Sequence, residues 1–387
     1  MTWDGGITWT PELNEDERRW QAVAERLAVD HFAARAADID ASGKYPWDNV
    51  EQLKAGRLTG LMLPREYGGE GASLATGCAV AETIARVCAS TCTIWSSYAI
   101  GALPVLYAGT EHQKRTYLPD VAAGHAIGFA LTERHSGSDP SNVRTSAARG
   151  DGGWALRGEK WLVGNGGPAT RYTVFAKAGS SGKLTAFLLD RNGDRLVIDD
   201  YQDKMGLRGT TTSNLKIDCR VPPDRQVGDQ DRGLALALRT LNTGRVLAAA
   251  LACGIGESAF RLAAHRAVTR EAFGGPIIDN QGISFRLADV AAELSAARMM
   301  TWQAARSGGD GGPDRRLSSM AKLYASEVAH RAVDTALQVF GAEGYAKPHP
   351  VERAYRDQRV LEIFEGSSEI QRLSIGRAIA GHYAHNT

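Results

Sequence analysis

The residue pattern of this chain changes character twice, near Ile127 and near Gly233, and that double change limits what it can fold into. Before residue 127 the pattern is helical. Residues 15–35 are rich in Ala, Glu and Arg, with Trp20, Val23, Leu27 and Val29 among the apolar positions, and residues 74–98 are small and apolar almost throughout. A helix apolar on most sides is expected to be buried between others. From Ile127 onward short runs such as Trp154-Ala155-Leu156, Tyr172-Thr173-Val174-Phe175 and Leu184-Thr185-Ala186-Phe187 are separated by Gly, Asp and Asn. That spacing predicts an antiparallel β-domain or small barrel, closed by Val221-Pro222-Pro223. Helical pattern returns over 234–270, 284–306, 316–340 and 369–384, as in a bundle. Ser307-Gly308-Gly309-Asp310-Gly311-Gly312-Pro313 cannot continue a helix and predicts a flexible connector. The expected architecture is an α+β multidomain chain: an N-terminal all-helical domain over 1–126, a β-barrel-like middle domain over 127–232 and a C-terminal four-helix bundle over 233–387. Length agrees, because 387 residues exceed what one core usually organises.

Lys and Arg (45) nearly balance Asp and Glu (44), so the net charge of +1 gives no general attraction to nucleic acid or to an anionic membrane. No apolar stretch reads as the roughly 20 residues of a bilayer span. The start, Met1-Thr2-Trp3-Asp4-Gly5-Gly6, has no basic region followed by an apolar one. Cys78, Cys88, Cys92, Cys219 and Cys253 are scattered and lack a CxxC or histidine partner. They are expected to be small buried side chains in a reducing cytoplasm, with no metal site.

Four runs carry chemistry. In Ile363-Phe364-Glu365-Gly366-Ser367-Ser368-Glu369 an acid sits between an aromatic residue and a glycine, just before a helix. A carboxylate so placed is poorly solvated, which raises its proton affinity and suits a base. Phe129-Ala130-Leu131-Thr132-Glu133-Arg134-His135-Ser136-Gly137-Ser138 offers hydroxyls and open backbone to a polar planar ligand, although a capped turn entering a sheet explains it equally well. Arg270-Glu271-Ala272-Phe273, followed by Gln281, suits a grip on phosphate and adenine, or a basic helix end. Gln338-Val339-Phe340-Gly341-Ala342 ends a helix with a glycine that also serves as a simple C-cap.

Taken in order, these runs resemble the acyl-CoA dehydrogenase family of flavoproteins over essentially the whole chain. The resemblance implies FAD as cofactor. Phe129, Leu131, Thr132, Gly137 and Ser138 would run along the flavin, and Leu162, Val163 and Gly164 would cover its other side. Arg270, Phe273 and Gln281 would hold the adenosine-diphosphate part of a neighbouring subunit's cofactor. Gln338, Gly341 and Ala342 would make the complementary contact, with Ser367 and Glu369 closing the site. Sharing of this kind implies a homodimer or homotetramer. Glu365 matches the family's base, taking the α-proton of an acyl thioester while hydride leaves the β-carbon for flavin N5. Ser138, Asn242, Arg245 and Gly366 would meet the substrate, with Arg245 balancing the charge of the base.

Three departures from the family stand out. Leu162 and Gly164 replace a common Trp and Thr, removing an aromatic cover and a hydroxyl. Asn242 replaces a common Asp beside the pantetheine arm. Arg134-His135 replaces a commoner Pro-Gly. These changes allow a thioester on an acyl carrier protein as well as on coenzyme A. The electron acceptor would be an electron-transfer flavoprotein or oxygen. A flavin oxidase or monooxygenase on the same fold is the alternative reading, and a binding protein that has lost catalysis is a third.

Overall fold

A computed structural model describes residues 6–199, 203–309 and 311–384, so residues 1–5, where a leader was sought, and Asp310 of the glycine-rich connector lie outside the described residues. The first third is helical: α1 (Glu15–Leu27), α2 (Ala33–Ser42), α3 (Trp47–Ala55), α4 (Leu74–Ala85), α5 (Ala89–Ala108) and α6 (Glu111–Ala122). Asn14 starts α1 with a reciprocal cap, its side chain accepting from the Glu17 N–H at 2.8 Å while Glu17 accepts from the Asn14 N–H at 2.9 Å. The apolar segment 74–98 is two helices, α4 and α5, separated at Arg86–Cys88. No Gly or Pro marks that break, and residues buried on every side supply no period from which to read it.

The middle region contains β1 (Ile127–Ala130), β2 (Ser146–Gly150), β3 (Gly153–Gly164), β4 (Arg171–Ala178), β5 (Leu184–Asp190), β6 (Leu196–Asp199), β7 (Thr212–Val221) and β8 (Gln226–Val227). The hydrogen-bonded order is β6-β7-β3-β2-β4-β5-β8, and β1 joins β4. Most pairings are antiparallel as expected, but β1 and β2 both run parallel to β4 and share its edge. Along β7 burial alternates with a period of two, from Ser213 through Leu215, Ile217 and Cys219 to Val221.

The last region begins with α7 (Gly233–Thr269), followed by the two-stranded ribbon of β9 (Glu271–Ala272) and β10 (Gly275–Pro276). Then come α8 (Gln281–Arg306), α9 (Arg315–Phe340), α10 (Ala342–Tyr345), α11 (Pro350–Arg359) and α12 (Ser368–Ala384). α7, α8 and α9 pack on one another, and α12 lies along α9. α7 also packs against α4 and α5, so one helix joins both helical regions. Contrary to the sequence reading, α7 has the length and composition to cross a bilayer, since few charges interrupt its Ala, Leu and Gly. Yet 83% of that apolar window is buried inside the chain, where it forms the core. The connector after α8 is tied down: Gly309 bridges Gly312, and the Ser307 hydroxyl accepts from the Asp314 N–H at 3.0 Å. All five cysteines are buried free thiols.

Where α4, α7 and α8 meet, Arg298 is 1% exposed. It donates to Glu82 at 2.7 Å, to Glu257 at 3.0 Å and to Thr8 at 3.1 Å, so the N-terminal segment is strapped to the bundle. Two buried acids share this one guanidinium. Arg298→Ala would leave Glu82 with only Arg86 at 3.8 Å and Glu257 with Arg261 at 2.6 Å, and should cost about 3 kcal/mol. A lowered urea midpoint would record it, whereas truncating the exposed Arg157–Asp218 pair should leave the midpoint nearly unchanged.

Candidate active site

The turn between α11 and α12 places Glu365. Both Glu365 (φ 55°) and Gly366 (φ 85°) are left-handed. That conformation costs about 1–2 kcal/mol for the non-glycine residue, so surrounding contacts must hold it. They act on the main chain. The Glu365 carbonyl accepts from Gln371 Nε2 at 3.0 Å and from Arg245 Nε at 3.4 Å. The Gly366 carbonyl accepts from Lys322 Nζ at 2.7 Å and Gln371 Nε2 at 2.9 Å. A Cβ at Gly366 would sit 2.7 Å from that same Gln371 nitrogen, so glycine is needed there for space as well as for φ.

With the donors spent on carbonyls, the carboxylate is left bare. Glu365 as a residue is only half-buried, yet its Oε2 is fully buried and has no hydrogen-bond partner. It lies on the backbone of α7, where a Cβ added to Gly244 would come within 2.4 Å of Oε2. Burial pushes the Glu365 carboxyl up to about 7, against the opposing pull of Arg245 and Lys322. The same desolvation lowers Arg245 and brings Lys322 down to about 8. Arg245 is held by Asn242 Oδ1 at 3.0 Å and Ser319 Oγ at 3.4 Å. Arg245, Asn242, Gly366 and Glu365 are therefore brought together.

A second group lies on the middle sheet. Phe129 packs on Phe175 with ring centroids 5.1 Å apart. Leu131 is buried and its carbonyl accepts from Lys160 Nζ at 3.1 Å, while the Thr132 carbonyl accepts from the Trp161 N–H at 2.8 Å. Lys160 also pairs with Glu133 at 2.8 Å inside the protein, and Glu133 accepts from the Thr145 and Arg144 N–H groups. This cluster pins the end of β1 to the start of the Gly137–Ser138 loop, whose two residues are exposed. Leu162 bulges out of β3 with φ 56°. Val163 turns inward, and Gly164 faces α5, where an added Cβ would meet only Ser97 Oγ at 3.5 Å.

The strands around this group leave buried polar atoms without partners: Trp161 Nε1, Thr173 Oγ1, Thr211 Oγ1 and Thr212 Oγ1. Thr173 is in register with Phe129, and Thr212 with Gly164. A flat, polar ligand lying there would satisfy them, so the residues fit the flavin inferred from sequence.

The third group is remote. α7 begins against β5, where Gly233 meets Leu184, and it passes Glu365 at Gly244. Arg270 caps its far end, about 40 Å beyond Gly244 at about 1.5 Å per residue. Arg270, Phe273 and Gln281 are exposed there, with Phe273 fully so at the ribbon tip. Gln338, Gly341 and Ala342 are exposed at the end of α9 that lies beside them, as the Arg266–Glu343 pair at 2.6 Å shows. Ser367 is half-buried and Glu369 exposed at the start of α12. The candidate cofactor residues thus fall into separated groups within one chain. A cleft of about 830 Å³ on the middle sheet is lined by Glu133, His135, Lys216 and neighbours and includes no residue of the Glu365 cluster.

Sequence reasoning missed Gly244, Lys322 and Gln371. Lys322 carried a signal, since it falls on the buried stripe Ser318, Lys322, Ala325, Ala329 of α9, where a lysine is out of place.

Comparison with known proteins adds three family models matched in order: the acyl-CoA dehydrogenase N-terminal domain over residues 14–125, middle domain over 128–219 and C-terminal domain over 231–380. An acyl-CoA dehydrogenase of Bacillus subtilis is 39% identical over 375 residues, 95% of this chain and 99% of that protein. The structure of butyryl-CoA dehydrogenase from Megasphaera elsdenii superposes with a TM-score of 0.92 at 31% identity, covering 96% of this chain and all of that one. The prolyl acyl carrier protein oxidase AnaB gives 0.91 at 25% identity, covering 95% and 100%.

A carboxyl whose affinity for a proton is higher folded than unfolded makes the native state lose stability as pH rises from about 4.5 to about 7. Glu365→Gln should therefore raise Tm at pH 8 and leave it unchanged at pH 4. Difference infrared spectroscopy should show a carboxyl band titrating near pH 7 that this variant lacks.

Proposed function

The chain belongs to the acyl-CoA dehydrogenase family, and we propose that it oxidises an acyl thioester between Cα and Cβ with FAD, Glu365 taking the α-proton. The observation that carries this reading is the bare, desolvated Oε2 of Glu365 lying on Gly244. A thioester α-proton is weakly acidic, so its removal needs a base freed from water and hydrogen bonds, facing a polarised carbonyl. Glu365 meets the first need. For the second, the Glu365 N–H donates to the thioester oxygen in this proposal, at a turn its own carbonyls keep rigid. Arg245 tempers the charge of the base without bonding to it. FAD, when bound, supplies the acceptor for the hydride leaving Cβ.

Phe129, Leu131, Thr132, Gly137, Ser138, Leu162, Val163 and Gly164 would hold the flavin ring, with the unsatisfied hydroxyls of β4 and β7. Arg270, Phe273 and Gln281 of one chain, with Gln338, Gly341 and Ala342 beside them, would hold the adenosine-diphosphate part of the cofactor whose site Ser367 and Glu369 of another chain close. The length of α7 supports this sharing, because within one chain Arg270 stands about 40 Å along that helix from Gly244, on which Glu365 lies. A homodimer or homotetramer follows, in the cytoplasm, where buried free thiols persist. The division at 126/127 and 232/233 belongs to the same proposal.

Ser138 and Asn242 would meet the carrier arm, Asn242 through its amide N–H groups since its oxygen is engaged by Arg245. Coenzyme A and an acyl carrier protein both suit such contacts. One observation favours the oxidase or monooxygenase alternative: Gly164 carries no side chain where a Cβ would fit without clash, meeting only Ser97 Oγ at 3.5 Å. Reoxidation of the reduced flavin by air within seconds would support oxygen as acceptor, and persistence of the reduced form would support an electron-transfer flavoprotein.

The reading is tested by anaerobic bleaching of the flavin with short, long, branched and hydroxylated thioesters on both carriers. Glu365→Gln should keep FAD and slow bleaching by about 10²–10⁴-fold; undiminished bleaching would remove Glu365 from its role. Arg270→Ala should purify depleted of FAD and with a weakened assembly, and full occupancy would defeat the shared site.

A further inference from the structure

We propose that Lys322 is a positioning residue for the base, its ammonium fixing the Gly366 carbonyl while its charge keeps Glu365 ionisable. The inference rests on the reading of Glu365 as the base. Lys322 is wholly buried on α9, where an unpaired ammonium would be strongly disfavoured. Among the described residues no carboxylate accepts its hydrogen bond. Its recorded acceptor is a main-chain oxygen, Gly366 O at 2.7 Å, one residue beyond the base. A lysine kept in an apolar stripe for one carbonyl is an expensive device unless that carbonyl must be held.

The geometry explains why it must. Glu365 and Gly366 are both left-handed, and rotating either would carry the carboxylate off the Gly244 backbone. Gln371 alone bonds both carbonyls, but an amide carries no charge. Lys322 supplies the second anchor and a positive charge at once. The charged groups facing it are Glu365, Glu362 of the turn after α11, Glu369 of α12 and Arg245 of α7. Those facing Glu365 are Arg245 and Lys322, and both favour its ionised form. Arg245 is further tied to Asn242 and Ser319, so its place does not depend on Lys322.

Two substitutions separate the anchor from the charge. Lys322→Gln keeps an amide donor and loses the charge; Lys322→Met loses both. In the FAD-loaded enzyme the infrared midpoint of the Glu365 carboxyl should rise by about one pH unit in both variants, because a nearby positive charge has gone. Anaerobic bleaching by butyryl-CoA and by butyryl-carrier protein should, in Lys322→Gln, approach the wild-type rate at pH 9 and fall about fivefold at pH 7. In Lys322→Met it should be slow at both. A lysine that merely stabilised the fold would lower Tm without moving the carboxyl midpoint. A midpoint within about 0.2 units of wild type in Lys322→Gln would overturn the proposal. If instead Glu365→Gln retains the titrating band, the reading of Glu365 itself fails and not the part given to Lys322.

Discussion

The site depends on where hydrogen bonds are spent around one left-handed turn. Arg245, Lys322 and Gln371 all donate to the carbonyls of Glu365 and Gly366, and none donates to the carboxylate. A salt bridge to the carboxylate would have lowered its proton affinity and hidden its lone pairs. Directing the donors to the main chain fixes the side chain's origin while its oxygen stays unsatisfied on a helix that lacks a side chain at Gly244. The positive charges remain close enough to limit how far burial drives the carboxyl upward. Rigidity and basicity, which usually oppose each other, are supplied here by different atoms of the same residue.

That turn is held between α7, α9 and α12, and α7 organises more than the base. Its first turn meets the middle sheet at Leu184, its middle carries Gly244 and Arg245, and its end presents Arg270. It is buried among α4, α5, α8 and α9 and apolar for much of its length. Its length also sets Arg270 and the exposed Phe273 ribbon about 40 Å along the helix from Gly244. Under the proposed shared site, a second chain would cover the exposed aromatic at the ribbon tip.

Long periodic segments were legible because their apolar spacing is local: the observed α7, α8, α9 and α12 begin close to where the pattern places them. The break between α4 and α5 was not, because residues buried on all sides leave no period to interrupt. Nor were the parallel pairings of β1 and β2 with β4, since alternation marks a strand without naming its neighbour. In the site, Glu365 stood out through its flanking Phe364 and Gly366. Lys322, Gln371 and Gly244 did not, because each serves by what it touches across the fold.

The sequence by itself determined the order helical, strand, helical, the identity of the acid, and the family to which these motifs belong, because each of these is written in contiguous residues. Only the tertiary structure decided that the acid's Oε2 is bare, that the Gly366 carbonyl beside it is clamped by a buried lysine, and that Arg270 stands at the far end of the helix that carries Gly244. Those properties are distances between segments far apart in the chain, and such distances exist only once burial has brought the segments together.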